Sequence, residues 1–318
     1  MPPAGPTDLL RITGLAKRFR GGGGISNVTF CVPAGAVTGF IGVNGAGKST
    51  TLRCALGLLK PDAGEIRLFG RPFSLAARRR IGFLPEERGL FPHERARDAI
   101  AFHGRLKGMG RYAAFAAADR LLDRAGLGAR KQDRIAVLSK GNAQRVQVLA
   151  AMVHDPELLL LDEPLSGLDL IAQSELLSLL AEFRARGGGI LFSTHSMSAA
   201  ETICDRVVML SAGHTIFEGA VPDASALAPH GAIVVTADAE GLGAAGAMLG
   251  GHIVPVAGAM GEAARWCVVL PRHITHPVLI RVLAERGVPI LAFEPIKAGL
   301  EGAFWHLAQH QPLESRAA

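Results

Sequence analysis

Nine residues constrain this chain more than any others: Gly42-Val43-Asn44-Gly45-Ala46-Gly47-Lys48-Ser49-Thr50. They contain the phosphate-binding pattern G-x-x-x-x-G-K-[ST] with every specified position filled. An apolar run from Ala36 to Ile41 precedes them and reads as a strand, and Thr51 to Leu59 follows and reads as a helix. The motif needs that strand–loop–helix setting. Glycines at 42, 45 and 47 let the backbone turn its N–H groups inward and let phosphate oxygens approach closely. The dipole of a helix starting near Lys48 favours the same negative charge. In such a loop Lys48 reaches the β- and γ-phosphates and the Ser49 hydroxyl ligates Mg²⁺. A bare glycine-rich turn is the plain alternative, and a complete match in the right setting disfavours it.

The 318 residues suit two domains or one large one, and 49% hydrophobic with 19% charged residues describes a chain that can bury a core. The net charge is +6, yet residues 221–318 carry six Lys and Arg against eight Asp and Glu. The positive charge therefore sits in the half that holds the loop, which suits an anionic ligand. Arg78-Arg79-Arg80 is the only basic triplet and reads as a solvated face, so no nucleic-acid partner is expected. The four cysteines, Cys31, Cys54, Cys204 and Cys267, show no C-x-x-C spacing and read as buried small hydrophobes in a reducing compartment. No signal peptide is expected at the N-terminus. Gly241 to Gly261 is uncharged for 21 residues, but seven glycines and Pro255 disqualify it as a spanning helix, which needs about 20 mostly large apolar residues. Any work at a membrane would go through a partner.

Leu9 to Leu15 and Ile25 to Val32 read as strands joined by the flexible turn Gly21 to Gly24, and Phe19 before that turn offers a flat face on which a base could stack. Ile66 to Phe69 reads as a short strand, and Ile81 to Leu90 as a strand running into a loop that carries Glu86. Residues 91–155 read as an inserted helical subdomain, with apolar positions Ile100, Phe102, Leu106, Phe115, Leu121 and Leu122 at helical spacing. In it Ser139 is placed to cap a helix running to about His154. Leu158 to Leu161 is a fully buried strand. At its tip Asp162 and Glu163 lie on the edge where open α/β sheets bind ligands. Asp169 can cap the helix to Arg186, and the strand Ile190 to Ser193 brings Thr194-His195 to the same edge.

In this order the phosphate loop, Leu138-Ser139-Lys140-Gly141-Asn142, Asp162-Glu163, Asp169 and His195 resemble the ATPase subunits of ABC transporters. The resemblance covers roughly residues 8–220. Leu84-Pro85-Glu86-Glu87-Arg88-Gly89 and Leu138 to Asn142 look closest to the branch with an extra C-terminal domain, of sodium-efflux or antibiotic-export type. The resemblance implies ATP and Mg²⁺, with Asp162 and Ser49 holding the metal and Glu163 acting as general base on the attacking water. It makes His195 the γ-phosphate switch residue, Phe19 the adenine platform and Asp169 part of the loop that communicates across a dimer. Ser139 and Gly141 would contact the γ-phosphate bound to a second nucleotide-binding subunit, in a homodimer or a heterodimer. It also implies an integral membrane transporter subunit as partner, and a cytoplasmic place on the inner face of the membrane through that subunit. Two positions depart from the family, which usually has Gln at the positions of Glu86 and Asn142. Glu86 can still reach the metal, and the departures bear on coupling to the membrane subunit.

Residues 221–318 read differently. Strands at Ile233 to Val235, His252 to Val256, Trp266 to Leu270 and Val288 to Phe293 alternate with helices at Leu242 to Leu249 and Pro277 to Glu285. A last helix runs from Leu300 to Ala308. This β-α-β-β-α-β order suggests a ferredoxin-like α+β accessory domain behind the α/β core. His230, His252, His273, His276 and His306 lack metal-ligand spacing. The leading expectation is the ATPase subunit of an exporter. The alternative is a soluble ATPase of the same class acting on nucleic acid or the ribosome; such proteins typically carry two cassettes or long coiled-coil insertions, whereas this chain shows one cassette and no heptads.

Overall fold

The computed structural model describes residues 8–87, 89–260 and 263–309. Arg88 of the Leu84–Gly89 stretch therefore lies outside the described residues. Two compact units meet in the sequence between Ala220 and Val221.

The first unit opens with β1 (Asp8–Arg18), β2 (Gly24–Pro33), β3 (Val37–Ile41) and α1 (Lys48–Ala55), followed by β4 (Ala63–Leu68), β5 (Arg71–Pro72) and β6 (Ile81–Leu84). Three helices come next, α2 (Ala96–Leu106), α3 (Arg111–Arg124) and α4 (Lys140–Met152). The unit closes with β7 (Leu158–Asp162), α5 (Leu170–Ala185), β8 (Gly189–Thr194), α6 (Met197–Ile203), β9 (Arg206–Ser211) and β10 (His214–Ala220). Six strands form one sheet in the order β10-β9-β3-β8-β7-β6, all parallel except β10. Parallel strands covered on both faces read as unbroken apolar runs rather than alternating ones, and Leu158 to Leu161 are all at 0% exposure. Ile41 pairs with Thr194 and Asp162 with Ser193, so three strand ends arrive at one edge in register.

A second, antiparallel sheet in the order β2-β1-β4-β5 packs against this one. Phe30 from the small sheet and Phe40 from the large one meet with ring centroids 5.0 Å apart, within a shared core that also takes Leu10, Leu52 and Leu160. The helical insertion has a core of its own, around Ile100, Leu122, Val146 and Leu149. Ala99, Ala101, Ala114, Ala117 and Ala118 keep α2 and α3 close, because a methyl group adds little between helix axes. The sequence places α1 at Thr51 to Leu59. The helix instead starts at Lys48 and stops at Ala55, because Gly57 turns the chain at φ +63°.

His154 joins this region to β6. Its Nε2 lies 3.2 Å from the Ile81 carbonyl, which also accepts from Lys107 Nζ at 2.8 Å, while Nδ1 is buried without a partner. Burial, and then the Lys107 charge, push the imidazole down to about 4, partly offset by the Ile81 carbonyl. An unfolded chain titrates this group near 6.5, so between 6.5 and about 4 the unfolded state holds more protons. Stability is then fully present above pH 6.5 and falls as the pH drops through that window. The group is partly exposed, so the loss is discounted to about 1–2 kcal/mol. Thermal melts between pH 7.5 and 4.5 check this: His154→Gln should lose part of the wild-type decline, and identical declines would remove the assignment.

The second unit comprises α7 (Val221–Ala226), β11 (Gly231–Thr236), α8 (Ala239–Met248), β12 (His252–Met260), β13 (Ala263–Val269), α9 (His276–Glu285), β14 (Ala292–Pro295) and α10 (Leu300–Gln309). Its antiparallel sheet has the order β12-β13-β11-β14. Ala232, Val234 and Val268 on one face pack with Leu242 and Ala245 of α8 and Leu279 and Leu283 of α9. The strand expected at Val288 to Phe293 is displaced to Ala292–Pro295. Gly287, at φ +69°, closes α9, and the Val288 N–H bonds the Leu283 carbonyl, so Val288 belongs to the helix cap. Pairing with β11 resumes only at Leu291, whose N–H bonds the Val235 carbonyl.

Candidate functional site

Between β3 and α1 the chain turns through Gly45 at φ +81° and Gly47 at φ +101°, a region that L side chains rarely adopt. At Gly47 space demands glycine as well, since a Cβ there would lie 2.3 Å from Ile25 Cγ2. Gly42 is buried beneath the loop, where a Cβ would lie 2.5 Å from the Leu210 carbonyl oxygen. Lys48 is only 7% exposed; its ammonium donates to the Gly42 carbonyl at 2.7 Å and the Val43 carbonyl at 3.4 Å. The loop thus holds its own cation over its mouth.

A cavity of about 400 Å³ opens there. Asn44, Gly45, Ala46, Gly47, Lys48, Ser49 and Thr50 form one wall. Phe19 and Gly24, at the ends of β1 and β2, form another, and Glu86, Asp162 and Glu163 complete it. Phe19 is 45% exposed, so part of its ring is free to stack. Asp162, at the end of β7, accepts a hydrogen bond from Ser193 Oγ at 2.8 Å. Glu163 stands next to it at φ +49°, its N–H held by the Ser193 carbonyl at 3.1 Å. That conformation is uncommon for a residue with a side chain. It directs the carboxylate toward two partners: Glu163 Oε1 lies 2.9 Å from His195 Nδ1 and 3.8 Å from Lys48 Nζ.

Ser139, Gly141 and Asp169 do not line this cavity. Ser139 caps α4 by accepting from the Asn142 N–H at 3.2 Å, and Asp169 caps α5 by accepting from the Ala172 N–H at 2.8 Å. The two helix starts adjoin, because a Cβ on Gly141 would come within 2.9 Å of Ala172 Cβ. Ser139, Asp169 and the neighbouring Leu170 and Ile171 are exposed.

The donors suit one kind of ligand. Loop N–H groups and a lysine suit a polyphosphate. The Ser49 hydroxyl and the Asp162 and Glu86 carboxylates are hard oxygen donors of the kind Mg²⁺ takes. Among the described residues no group of three or more His, Cys, Asp or Glu could hold a metal by itself. Glu163, held at 2.9 Å from His195 Nδ1 and 3.8 Å from Lys48 Nζ, is a carboxylate of the kind that can serve as a general base.

Sequence reasoning did not find Ser193, Gly24, Gln144 or Gln147. Gln144 donates to the Pro164 carbonyl at 3.2 Å and Gln147 to the Glu87 carbonyl at 3.3 Å, so α4 reaches both the strand tip and the loop after β6. Each contact depends on register or on helix placement, and neither is written in local spacing.

Comparison with known proteins agrees with this chemistry. A family model described as "ABC transporter" matches residues 25–166, and one described as "AAA domain, putative AbiEii toxin, Type IV TA system" matches residues 134–201. The uncharacterized ABC transporter ATP-binding protein YhaQ of Bacillus subtilis is 37% identical over 66% of this chain and 71% of its own length. The Nod factor export ATP-binding protein I of Burkholderia lata is 39% identical over 69% of this chain and 72% of its own. A solved ATP-binding subunit of an ABC transporter superposes with a TM-score of 0.62 at 32% identity, covering 69% of this chain and 92% of that one. The cbiO1 protein of Clostridium perfringens, described as part of the ABC transporter complex cbiONQ, gives 0.61 at 27% identity, covering 67% and 89%.

The α/β fold matches those of ABC-type ATPases. The chain belongs to the family of ABC transporter ATP-binding proteins. It binds ATP with Mg²⁺ and is an ATPase coupled to transport, a role in which such subunits work with membrane subunits. No helix among the described residues is long and apolar enough to cross a membrane.

Proposed function

We propose that this chain is the ATP-hydrolysing subunit of an exporter and drives a separate membrane subunit from the cytoplasmic face. The observation that carries the site assignment is Glu163 Oε1, which lies 3.8 Å from Lys48 Nζ and 2.9 Å from His195 Nδ1 at the mouth of the phosphate loop. In this reading Phe19 stacks on adenine and Asn44 to Thr50 wrap the phosphates. Ser49, Asp162 and Glu86 would hold Mg²⁺, which supplies charge neutralisation on the transferred phosphoryl group. Glu163 takes the proton of the attacking water as the new O–P bond forms and the bond to ADP breaks. His195 holds Glu163 in place and reaches the γ-phosphate. The export direction is supported by the relatives named for Nod factor export.

The second nucleotide-binding subunit enters through Ser139, Gly141 and Asp169, which lie outside the chain's own cavity on an exposed face with Leu170 and Ile171, 82% and 74% exposed. Exposed aliphatic side chains beside two capped helix starts suit a face that another subunit covers. We assign residues 8–220 to the nucleotide-binding domain and residues from 221 on to an accessory domain. Its β-α-β-β-α-β order and β12-β13-β11-β14 sheet support the ferredoxin-like topology and, with it, the sodium-efflux or antibiotic-export branch.

Lys48→Ala tests the site directly. Losing a charge-assisted contact to the terminal phosphates, of roughly 1.5–3 kcal/mol, should weaken nucleotide affinity by about 10- to 100-fold. Titration with a fluorescent ATP analogue measures this, and unchanged affinity would mean the loop is not where nucleotide binds.

A further inference from the structure

We propose that Ser193 is the positioning residue for both carboxylates of the site, and that its hydroxyl sets the affinity for the divalent cation that accompanies ATP. The inference rests on the assignment of Asp162 as a metal ligand given above. Ser193 is at 0% exposure, one strand over from Asp162 and paired with it in the parallel ladder. Residues paired in this way project to the same face of a sheet, so the hydroxyl and the carboxylate meet without any loop between them. Its Oγ donates to Asp162 Oδ1 at 2.8 Å, in a place where Asp162 itself is 5% exposed. The same residue's carbonyl accepts the Glu163 N–H at 3.1 Å and helps hold the positive φ of that residue. One residue therefore fixes the metal carboxylate with its side chain and the base carboxylate with its main chain.

Two physical consequences separate the side chain's part from the main chain's. A hydroxyl donating to Oδ1 locks the Asp162 rotamer and leaves Oδ2 unencumbered for the cation. Partners of this kind, which orient a ligand without touching the metal, typically change metal affinity or activity by 10- to 100-fold when removed. Alanine at 193 removes the Oγ donor and keeps the carbonyl, so the Glu163 conformation should persist. Removal would also leave Asp162 Oδ1 buried without its donor. The expected signature is a site that still takes nucleotide but requires more metal. A purely structural serine would show no such selectivity.

The test measures Mn²⁺ binding by electron paramagnetic resonance, with a non-hydrolysable ATP analogue present, in wild type, Ser193→Ala and Ser193→Thr. Ser193→Ala should bind Mn²⁺ about 10-fold more weakly, with analogue affinity in EDTA unchanged and the Mg²⁺ concentration for half-maximal hydrolysis raised to match. Ser193→Thr, which keeps the hydroxyl, should restore most of the Mn²⁺ affinity. If Ser193→Ala does not fold, Ser193→Cys, close in size but a weak donor, takes its place with the same expectation. Equal Mn²⁺ affinity in wild type and the variant lacking the hydroxyl would overturn the inference. So would an equal loss in Ser193→Thr. Failure of the wild type to bind Mn²⁺ with the analogue at all would instead overturn the metal assignment on which it rests.

Discussion

Glu163→Gln is expected to bind ATP and leave it uncleaved. The carboxylate is 9% exposed and sits 2.9 Å from His195 Nδ1 and 3.8 Å from Lys48 Nζ, on a backbone of positive φ. Glutamine keeps the size, the backbone hydrogen bond to Ser193 and a polar contact with His195. It loses the basic carboxylate oxygen that accepts a proton from water, since an amide oxygen accepts hydrogen bonds but is not a base. General base catalysis of this kind contributes 10²–10⁴-fold, about 3–5 kcal/mol of barrier, so turnover should fall by that factor. Affinity should hold or rise, because a charge near the phosphates has been removed. In the two-subunit reading proposed above, hydrolysis is the step that opens the dimer, so the same variant should accumulate as an ATP-bound dimer. Single-turnover phosphate release and light scattering with ATP measure the two effects. Wild-type turnover in Glu163→Gln would remove Glu163 from the chemistry, and a loss of affinity equal to the loss of turnover would make it a binding residue only.

The phosphate loop was legible because its chemistry is local. Three glycines, a lysine and a serine lie within eight positions, and the strand before them and the helix after them are each dictated by a neighbouring apolar run. Asp162, Glu163 and His195 were legible for a related reason, since each follows directly on a buried strand. What the spacing could not supply is register. Ser193 carries no motif, and it becomes a partner of Asp162 only because β7 and β8 pair as they do. Boundaries were blurred where one glycine decides. Gly57 cuts α1 short, and Gly287 takes Val288 out of β14. In α8 the opposite happens. Gly241, Gly243 and Gly246 disfavour a helix, yet one forms, capped by Asp238 and packed through Leu242 and Ala245. Cβ atoms at Gly243 and Gly246 would stand 3.4 and 3.6 Å from Ile253, at ordinary contact distance, so the fit does not demand glycine there, and packing through Leu242 and Ala245 outweighs the intrinsic cost.

Mixing two inactive variants is expected to restore hydrolysis, and this follows from where Ser139 lies. It caps α4 on an exposed face and does not line its own chain's cavity. If it completes the site of a second subunit, each site has parts from two chains. Lys48→Ala disables the site built on a chain's own loop at nucleotide concentrations that its weakened affinity cannot fill, and Ser139→Arg blocks the face that chain offers to its partner. A hybrid dimer then holds one site with both lesions, and another with an intact loop facing an intact Ser139. At equal mixing about half of the dimers are hybrids, by counting exchangeable subunits of a two-fold assembly. Activity should therefore return to at most about a quarter of wild type, since only one of the two sites in each hybrid is whole. In the proposed assembly the membrane subunit holds the dimer together, so the assay is run with and without it. Sites that must fire together would keep the mixture inactive, and a cross-link separates that outcome from a wrong geometry. Cysteines at Ser49 and Ser139 should form an ATP-dependent bond between chains, whereas a bond confined to one chain rules sharing out. The native thiols leave this experiment a quiet background. Burial pushes Cys31 and Cys204 up to about 12 and Cys267 to about 11, and raises Cys54 as well, so few thiolates are present near neutral pH.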